Sequence, residues 1–373
     1  MLTFPKAVIN LRYLTHNLRQ IKKAISQQTK IMAVVKANAY GHGLLPITRH
    51  LHHQGINYFG VARLEEALAI RRLIKDATIL VLSPIPEENF PDAVKERISL
   101  TVSDQLALKQ LNNIARRAKT KALVHLKIDT GLHRSGLAPD EVTGFIKVIT
   151  NQKNVILEGV FTHFANADSD NRFTQKQLGL FREIALPIKR LFPHTLLHTA
   201  ASSAIFRFKE SHFDLVRPGL ALYGHISFTS PKINLKPILA LTTRISRIHR
   251  VQKNETIGYD RTYTTKRKLT VATLMMGYAD GLRRAPLSWP QVLIRNKSAP
   301  IVGRISMDQS VVDVSRIKPT PSAKSTVLLL DDRSDSLCSL EAIAKKIGTS
   351  PYEVLVDLSE NRVHRIYIHG KVN

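Results

Sequence analysis

A single cysteine, Cys338, stands in a chain of 373 residues, which excludes an intramolecular disulfide framework and a cysteine-built metal site. Long apolar runs are missing too, for none approaches the roughly 18 residues that cross a bilayer. The first stretch, MLTFPKAVINLRYL, has no charged start, long apolar core or small-residue cleavage site, so it does not read as a signal peptide. These absences predict a cytoplasmic protein without a membrane partner. Acidic residues are scarce, 29 against 55 Lys and Arg, which leaves a formal net charge of +26. Such a charge raises the question of a nucleic-acid or other polyanionic partner. The cations are scattered in twos and threes, as in Arg71-Arg72 and Lys266-Arg267-Lys268, with no basic arm and no zinc-finger or RNA-recognition pattern among them. A cationic surface that attracts anionic small molecules is the favoured reading over nucleic acid. No Asp/His/Glu cluster has metal-ligand spacing, so no metal is expected, and no Gly-x-Gly-x-x-Gly or Walker loop is present.

What is present is the composition of an ordinary globular protein, 43% hydrophobic and 23% charged, long enough for two domains. Short β-branched runs recur at 31–35, 57–62, 78–82, 98–102, 122–128, 156–163, 195–199 and 214–223, with helical periodicity between them. Parallel strands need crossover connections, and eight such units close a sheet, so the pattern predicts an α/β fold with an eight-stranded TIM-like barrel. A doubly wound sheet is the alternative. After Gly224 the texture changes: HISFTSPKINLKP reads as a linker, and beyond it come runs at 269–276, 291–294, 301–305 and 326–330 with a helical pattern only near 339–347. The expectation is a barrel domain over residues 1–230 and a mostly-β C-terminal domain over 231–373.

In such a barrel the chemistry gathers at the C-terminal ends of the strands. Lys36 ends the first in IMAVVKANAYGHG, Lys127 the fifth, His163 the sixth and His198 the seventh, while Arg217 lies at the eighth. One lysine at a strand end is most simply a side chain snorkelling to water. Five strands ending in cations or histidines on one face are harder to read as solvation. They suit a ligand carrying carboxylate and phosphate. The loops after strands seven and eight, holding Ser202, Ser203, Gly219 and Leu220, lie where such barrels bind phosphate. A lysine, a phosphate pocket and no metal point to pyridoxal phosphate, whose chemistry requires a lysine Schiff base and an anchored phosphate.

Six stretches, AVVKANAYGHG, KIDTGLHRSG, FTHFANAD, DLVRPGLALYG, GYADG and VGRISMDQS, closely resemble the alanine racemases, in order, from about residue 4 to 366. The resemblance implies a pyridoxal-phosphate isomerase that interconverts L- and D-alanine by a two-base mechanism and supplies D-alanine for peptidoglycan. It implies a homodimer in which the partner's β domain caps each barrel mouth. Carried over by position, Lys36 binds the cofactor and serves as base on the D-alanine face, and Tyr278 is the opposite base, from the other subunit. Arg134 lies near the substrate carboxylate, with Met307 as a backbone contact and Asp308 beside it. Tyr40, Ser202, Gly219 and Leu220 match cofactor-phosphate contacts, His163 lies against the pyridine ring, and Arg217 faces its nitrogen. Lys127 matches a lysine that many members carry as a carbamate able to hold Arg134, and Asp168 and Arg304 match residues near the entrance.

Two stretches depart from the family's pattern. Where members commonly read His-x-Ala-Asn-Ser, this chain has Ala201 in place of the asparagine, and YEVLVDLSENRVHR is one residue longer than usual. Glu360-Asn361 stands where some members have a phosphate-contacting tyrosine. The competing functions are a racemase of the same fold with broader substrate range, a related barrel decarboxylase and a pyridoxal-phosphate carrier. Carriers usually consist of the barrel alone, so the second domain argues against the last.

Overall fold

A computed structural model describes residues 4–228 and 233–369, and its chain packs into two units. The first comprises the described residues of Thr15–Ala39 and Leu44–Leu235. Its eight strands are Lys30–Val34, Tyr58–Val61, Thr78–Val81, Ser99–Val102, Ala122–Lys127, Val155–Phe161, Leu196–His198 and Leu215–Val216. Each pairs in parallel with its sequence neighbour through the seventh, and the eighth pairs with the first. Between the seventh and eighth the closure is a parallel bridge, Ala201 to Arg217, with the Arg217 N–H donated to the Ala200 carbonyl at 2.8 Å. The strands are short and almost wholly buried, as parallel strands covered on both faces must be. The helices follow from their patterns. In Gln105–Arg117 the Asp104 carboxylate accepts the Ala107 N–H at 2.7 Å, Leu108, Leu111 and Ala115 face inward at three- and four-residue spacing, and Arg116 and Arg117 sit on the negative end of the helix dipole.

All eight expected barrel strands occur, the first shifted by one residue at the same length and the others shorter than expected. The sixth ends at Phe161, two residues before His163, and the eighth is a two-residue strand rather than 214–223. Pro218 has no N–H for a ladder, and 219–225 turn back on themselves through bonds such as Leu222 N–H to the Gly219 carbonyl.

The second unit comprises the described residues of Met1–Leu14, Tyr40–Gly43 and Lys236–Asn373. The N-terminal segment therefore belongs here, not to a barrel beginning at residue 1, and the expected boundary at 230/231 lies outside the described residues. Its eight-stranded sheet is organised by one long strand, Leu239–Val251. The first half of that strand pairs antiparallel with Lys6–Asn10 and Thr326–Leu330, and from Ile245 onward, with a bulge between Ile245 and Arg247, it pairs with Leu269–Leu274. His364–Ile368 adds to Lys6–Asn10 in parallel. The run at 301–305 forms no strand; only Ile301 bridges, to Val312.

Candidate active site

Lys36 follows the first barrel strand directly, and Val35 before it donates its N–H to the Gly60 carbonyl at 2.9 Å. The chain then does something costly. Ala37, Asn38, Ala39 and Tyr40 all take φ of 51–53°, a left-handed turn of non-glycine residues. Each such residue costs roughly 1–2 kcal/mol, and strain of this kind collects at functional sites. Asn38 helps to hold it: its N–H reaches Glu66 Oε1 at 3.4 Å and its Oδ1 accepts the Leu44 N–H at 2.6 Å. Burial lowers the Lys36 ammonium, the Arg134 charge lowers it further, and Glu66 pulls it partly back.

The fifth strand ends on Lys127, 4% exposed, whose Nζ donates to Ser135 Oγ at 2.6 Å. Burial, then the Arg134 and Arg217 charges, push its amine down to about 8. Beyond it Asp129 ties down the loop that carries Arg134. Its Oδ1 accepts N–H groups of Gly131, Leu132 and His133 at 2.8, 3.0 and 3.1 Å, and Oδ2 accepts that of Arg134 at 3.2 Å. Partial burial works to raise this carboxyl, but the four N–H groups outweigh it and hold it below the usual carboxylate range.

Arg217, 3% exposed, is the hub. Nη1 donates to the His198 carbonyl at 2.7 Å and to His198 Nδ1 at 2.8 Å. Nη2 donates to the Thr162 and Thr199 carbonyls at 2.7 and 3.0 Å and approaches His163 Nδ1 at 3.4 Å. Among the described residues the Nε–H is left without an acceptor. Because arginine can only donate, His198 Nδ1 must accept, so its proton sits on Nε2. That proton faces His125 Nδ1 at 2.9 Å, which places the second proton on His125 Nε2, 3.9 Å from Glu158 Oε2. One guanidinium thus sets two tautomers in line. Burial and the Arg217 charge push His125 and His163 down to about 3 and His198 well below its ordinary value, so all three rings are neutral. Burial lowers Arg217 itself to about 9, still protonated at neutral pH. The His125 ring fits because residue 159 is glycine: a Cβ there would lie 2.1 Å from Nδ1, and the strand register shifts at this point.

The loops after the seventh and eighth strands are stitched by Ser202, whose Oγ accepts the N–H groups of Gly219 and Ala221, both at 3.1 Å. The charges of Arg134 and Arg217 act on Lys127 and His163, that of Arg134 acts on Lys36, and Lys36 acts on both Lys127 and His163, so the structure brings these five together. Leu220 follows Gly219 in the stitched loop, and Asp168 lies half-buried in the loop before the helix Asn171–Leu191. The donor set fits pyridoxal phosphate: an amine biased toward its neutral form, a small-residue loop pair near cations, and a buried arginine whose Nε–H has no acceptor among the described residues.

The remaining expected residues belong to the other unit. Tyr40 is buried there with its ring centroid 5.8 Å from that of Tyr352, and burial raises its phenol. Tyr278, 38% exposed, opens a tight turn whose N–H groups at 278 and 279 donate to the Ser306 and Met307 carbonyls, both at 3.0 Å. A side chain at Gly277 would strike those carbonyls, at 2.3 and 2.2 Å from its Cβ. The Arg284 guanidinium lies 5.8 Å over the Tyr278 ring, and Arg304 pairs with Asp260 at 3.2 Å. Sequence reasoning assigned no role to Asp129, His125, Glu158, Asp280 or Arg362. An Asp shortly before a Gly is a turn signal that could have marked Asp129, two residues before Gly131, and Asp280, next to Gly281; His125, Glu158 and Arg362 left no local signature.

A family model described as alanine racemase, N-terminal domain, matches residues 9–227, and one for the C-terminal domain matches residues 238–367. An alanine racemase 2 of Caldanaerobacter subterraneus subsp. tengcongensis is 38% identical over 368 residues, covering 97% of this chain and 94% of its own. An alanine racemase of Treponema denticola is 37% identical, covering 97% and 98%. The solved alanine racemase of Clostridium difficile superposes with a TM-score of 0.92 at 34% identity, covering 99% and 96%. One from Bartonella henselae with covalently bound pyridoxal phosphate gives 0.90 at 29%, covering 98% and 100%.

Proposed function

We propose, from the premise that this chain belongs to the alanine racemase family, how its residues interconvert L- and D-alanine, the reaction that supplies D-alanine for peptidoglycan. The cofactor is pyridoxal phosphate, which when bound withdraws electrons from the amino-acid α-carbon and so makes its proton removable. Lys36 would hold it covalently. Ser202 with the backbone of Gly219 and Leu220, together with Tyr40, would hold its phosphate, His163 would lie against its ring, and the Arg217 Nε–H would face the ring nitrogen. Arg217 keeps its own proton near neutral pH, so it orients that nitrogen without handing it a proton.

Racemisation needs a base on each face of the α-carbon. Lys36 suits the D-alanine face because burial and Arg134 favour its neutral amine. Tyr278 serves the L-alanine face and comes from a second copy of the chain, whose Met307 backbone, Asp308 and Arg304 line the same side. Arg134 binds the substrate carboxylate, held by the Asp129 cradle and by Lys127, which as a carbamate would become an anion beside it. Asp168 stands near the entrance. A reducing cytoplasm without membrane attachment suits the single buried Cys338, and no helix among the described residues is long and apolar enough to cross a membrane.

The observation that carries this reading is the barrel mouth itself: Lys36, Lys127, Arg134, His163 and Arg217 cluster around a buried, partly unpartnered guanidinium. Co-expression of a Lys36→Ala chain with a Tyr278→Phe chain tests it. A mixed dimer holds one site with both changes and one with neither, so activity up to about half of wild type should return. No recovery in a preparation shown to contain mixed dimers would sink the shared site. Borohydride treatment of the holoenzyme should leave the pyridoxyl label on Lys36, and a label on another lysine would remove the cofactor assignment.

A further inference from the structure

The turn that carries Tyr278 and the loop that carries Met307 are joined twice. The first join is backbone, through the N–H groups of Tyr278 and Ala279 on the Ser306 and Met307 carbonyls. The second is a single guanidinium. Arg362 Nε donates to Asp280 Oδ1 at 2.8 Å, and its Nη2 donates to Asp308 Oδ1 at 2.5 Å. Asp280 is 3% exposed, and its other oxygen accepts the Gly277 N–H at 2.9 Å, the residue just before Tyr278. One planar fork therefore straps the start of the Tyr278 turn to the residue after Met307, through two different carboxylates. A lysine ammonium, a point charge on a flexible stem, cannot hold that fixed angle between two partners. The backbone bonds set the contact between turn and loop, while the fork sets their angle.

We propose that Arg362 is a positioning residue that fixes the Tyr278 turn against the Met307–Asp308 loop, so that the base and the substrate contact keep one spacing. This rests on the reading of Tyr278 as the base on the L-alanine face. Proton transfer is steep in distance, and a displacement of about 1 Å can cost roughly a hundredfold in rate. Loss of the strap should therefore show in chemistry on one face before it shows in folding.

The test uses holoenzymes of Arg362→Met, Arg362→Lys and Asp308→Asn beside wild type. Arg362→Met should raise KM for alanine about tenfold and lower kcat between about 10- and 100-fold. With α-deuterated substrates the isotope effect should rise from L-alanine but not from D-alanine, whose proton Lys36 removes. Peptides covering 277–281 and 306–309 should exchange backbone hydrogen faster together. Arg362→Lys and Asp308→Asn should fall between wild type and Arg362→Met, and Asp308, 60% exposed, gives a variant that tests one arm if Arg362→Met does not fold. Unchanged exchange in both peptides, or losses equal from both enantiomers with an unmoved isotope effect, overturns the proposal. A Tyr278→Phe control that racemises like wild type would instead remove the base assignment, and peptide exchange in the Arg362 variants would still decide whether the strap exists.

Discussion

Adding one methyl group at residue 159 should unseat the line of imidazoles beneath Arg217. In Gly159→Ala the new Cβ would meet His125 Nδ1 at 2.1 Å, Cε1 at 2.4 Å and Cγ at 3.0 Å, so the ring must move by more than about 1 Å to regain ordinary contact. It has little room: His125 is buried between His198, 5.1 Å away by ring centroids, and Phe161, 6.5 Å away. Moving it breaks the 2.9 Å bond to His198 and leaves a buried N–H unsatisfied. Overpacking costs about 1–3 kcal/mol and the orphaned donor about 1–3 more, for a total of roughly 2–6 kcal/mol. At about 2–4 °C per kcal/mol for a unit of this size, the barrel's calorimetric midpoint should fall by about 4–24 °C. Turnover should fall as well, because His198 then loses the partner that fixes the ring beside Arg217. His125→Ala makes space for the methyl, so in the double variant the two losses should fall short of their sum by more than about 1 kcal/mol. A midpoint within about 1 °C of wild type in Gly159→Ala would refute the packing argument.

Gly179 lies in the helix Asn171–Leu191, and a methyl group added there would meet no atom within 4 Å, so Gly179→Ala should stabilise by up to about 1 kcal/mol; a loss of stability would contradict it. The Lys127 amine titrates near 8 when folded and 10.5 when unfolded, so the unfolded chain holds more protons between those values and this residue's penalty, full below 8, is lifted as pH rises to 10.5. Lys127→Met should therefore gain stability at neutral pH, with the gain fading through that window in denaturant titrations; a gain that does not change with pH would refute the assignment. Asp129→Ala should raise KM for alanine about tenfold by freeing the Arg134 loop, with Asp129→Asn intermediate because one acceptor oxygen remains. Equal KM in all three would show that the cradle is not what places Arg134.

The barrel was legible because its strands are buried on both faces. Runs such as ALVHLK and TILV need no alternation, and each is fenced by a helix with its own 3.6-residue stripe. The second unit was harder to read for the opposite reason. Leu239–Val251 begins as a buried run and ends half-exposed, with Arg244, Arg247 and Arg250 interrupting any apolar signal, because its two halves serve different partners. The placement of Lys6–Asn10 could not be read at all, since its partners lie more than 200 residues away in the chain. Pairing at that separation is decided by tertiary fit, which leaves nothing in five residues of local pattern.

The site divides along the same line. Residues expected to touch a ligand end strands or sit in short charged motifs, so Lys36, Lys127 and Arg217 announce themselves as charges where burial is expected, while Arg134 stands in an exposed loop motif. Those that hold such residues in place carry ordinary local patterns. His125 is one more residue inside a buried strand, and its partner Gly159 is defined only by what a side chain would collide with. Asp280 and Arg362 are 82 positions apart, so no spacing rule links them. Orientation in this protein is carried by pairs and clusters that local pattern does not mark: a glycine that admits a ring, an aspartate that gathers four N–H groups, an arginine that spans two carboxylates. They become visible only once the chain is folded, and for that reason the variants that discriminate best here are at Gly159, Asp129 and Arg362 rather than at the residues the motifs advertise.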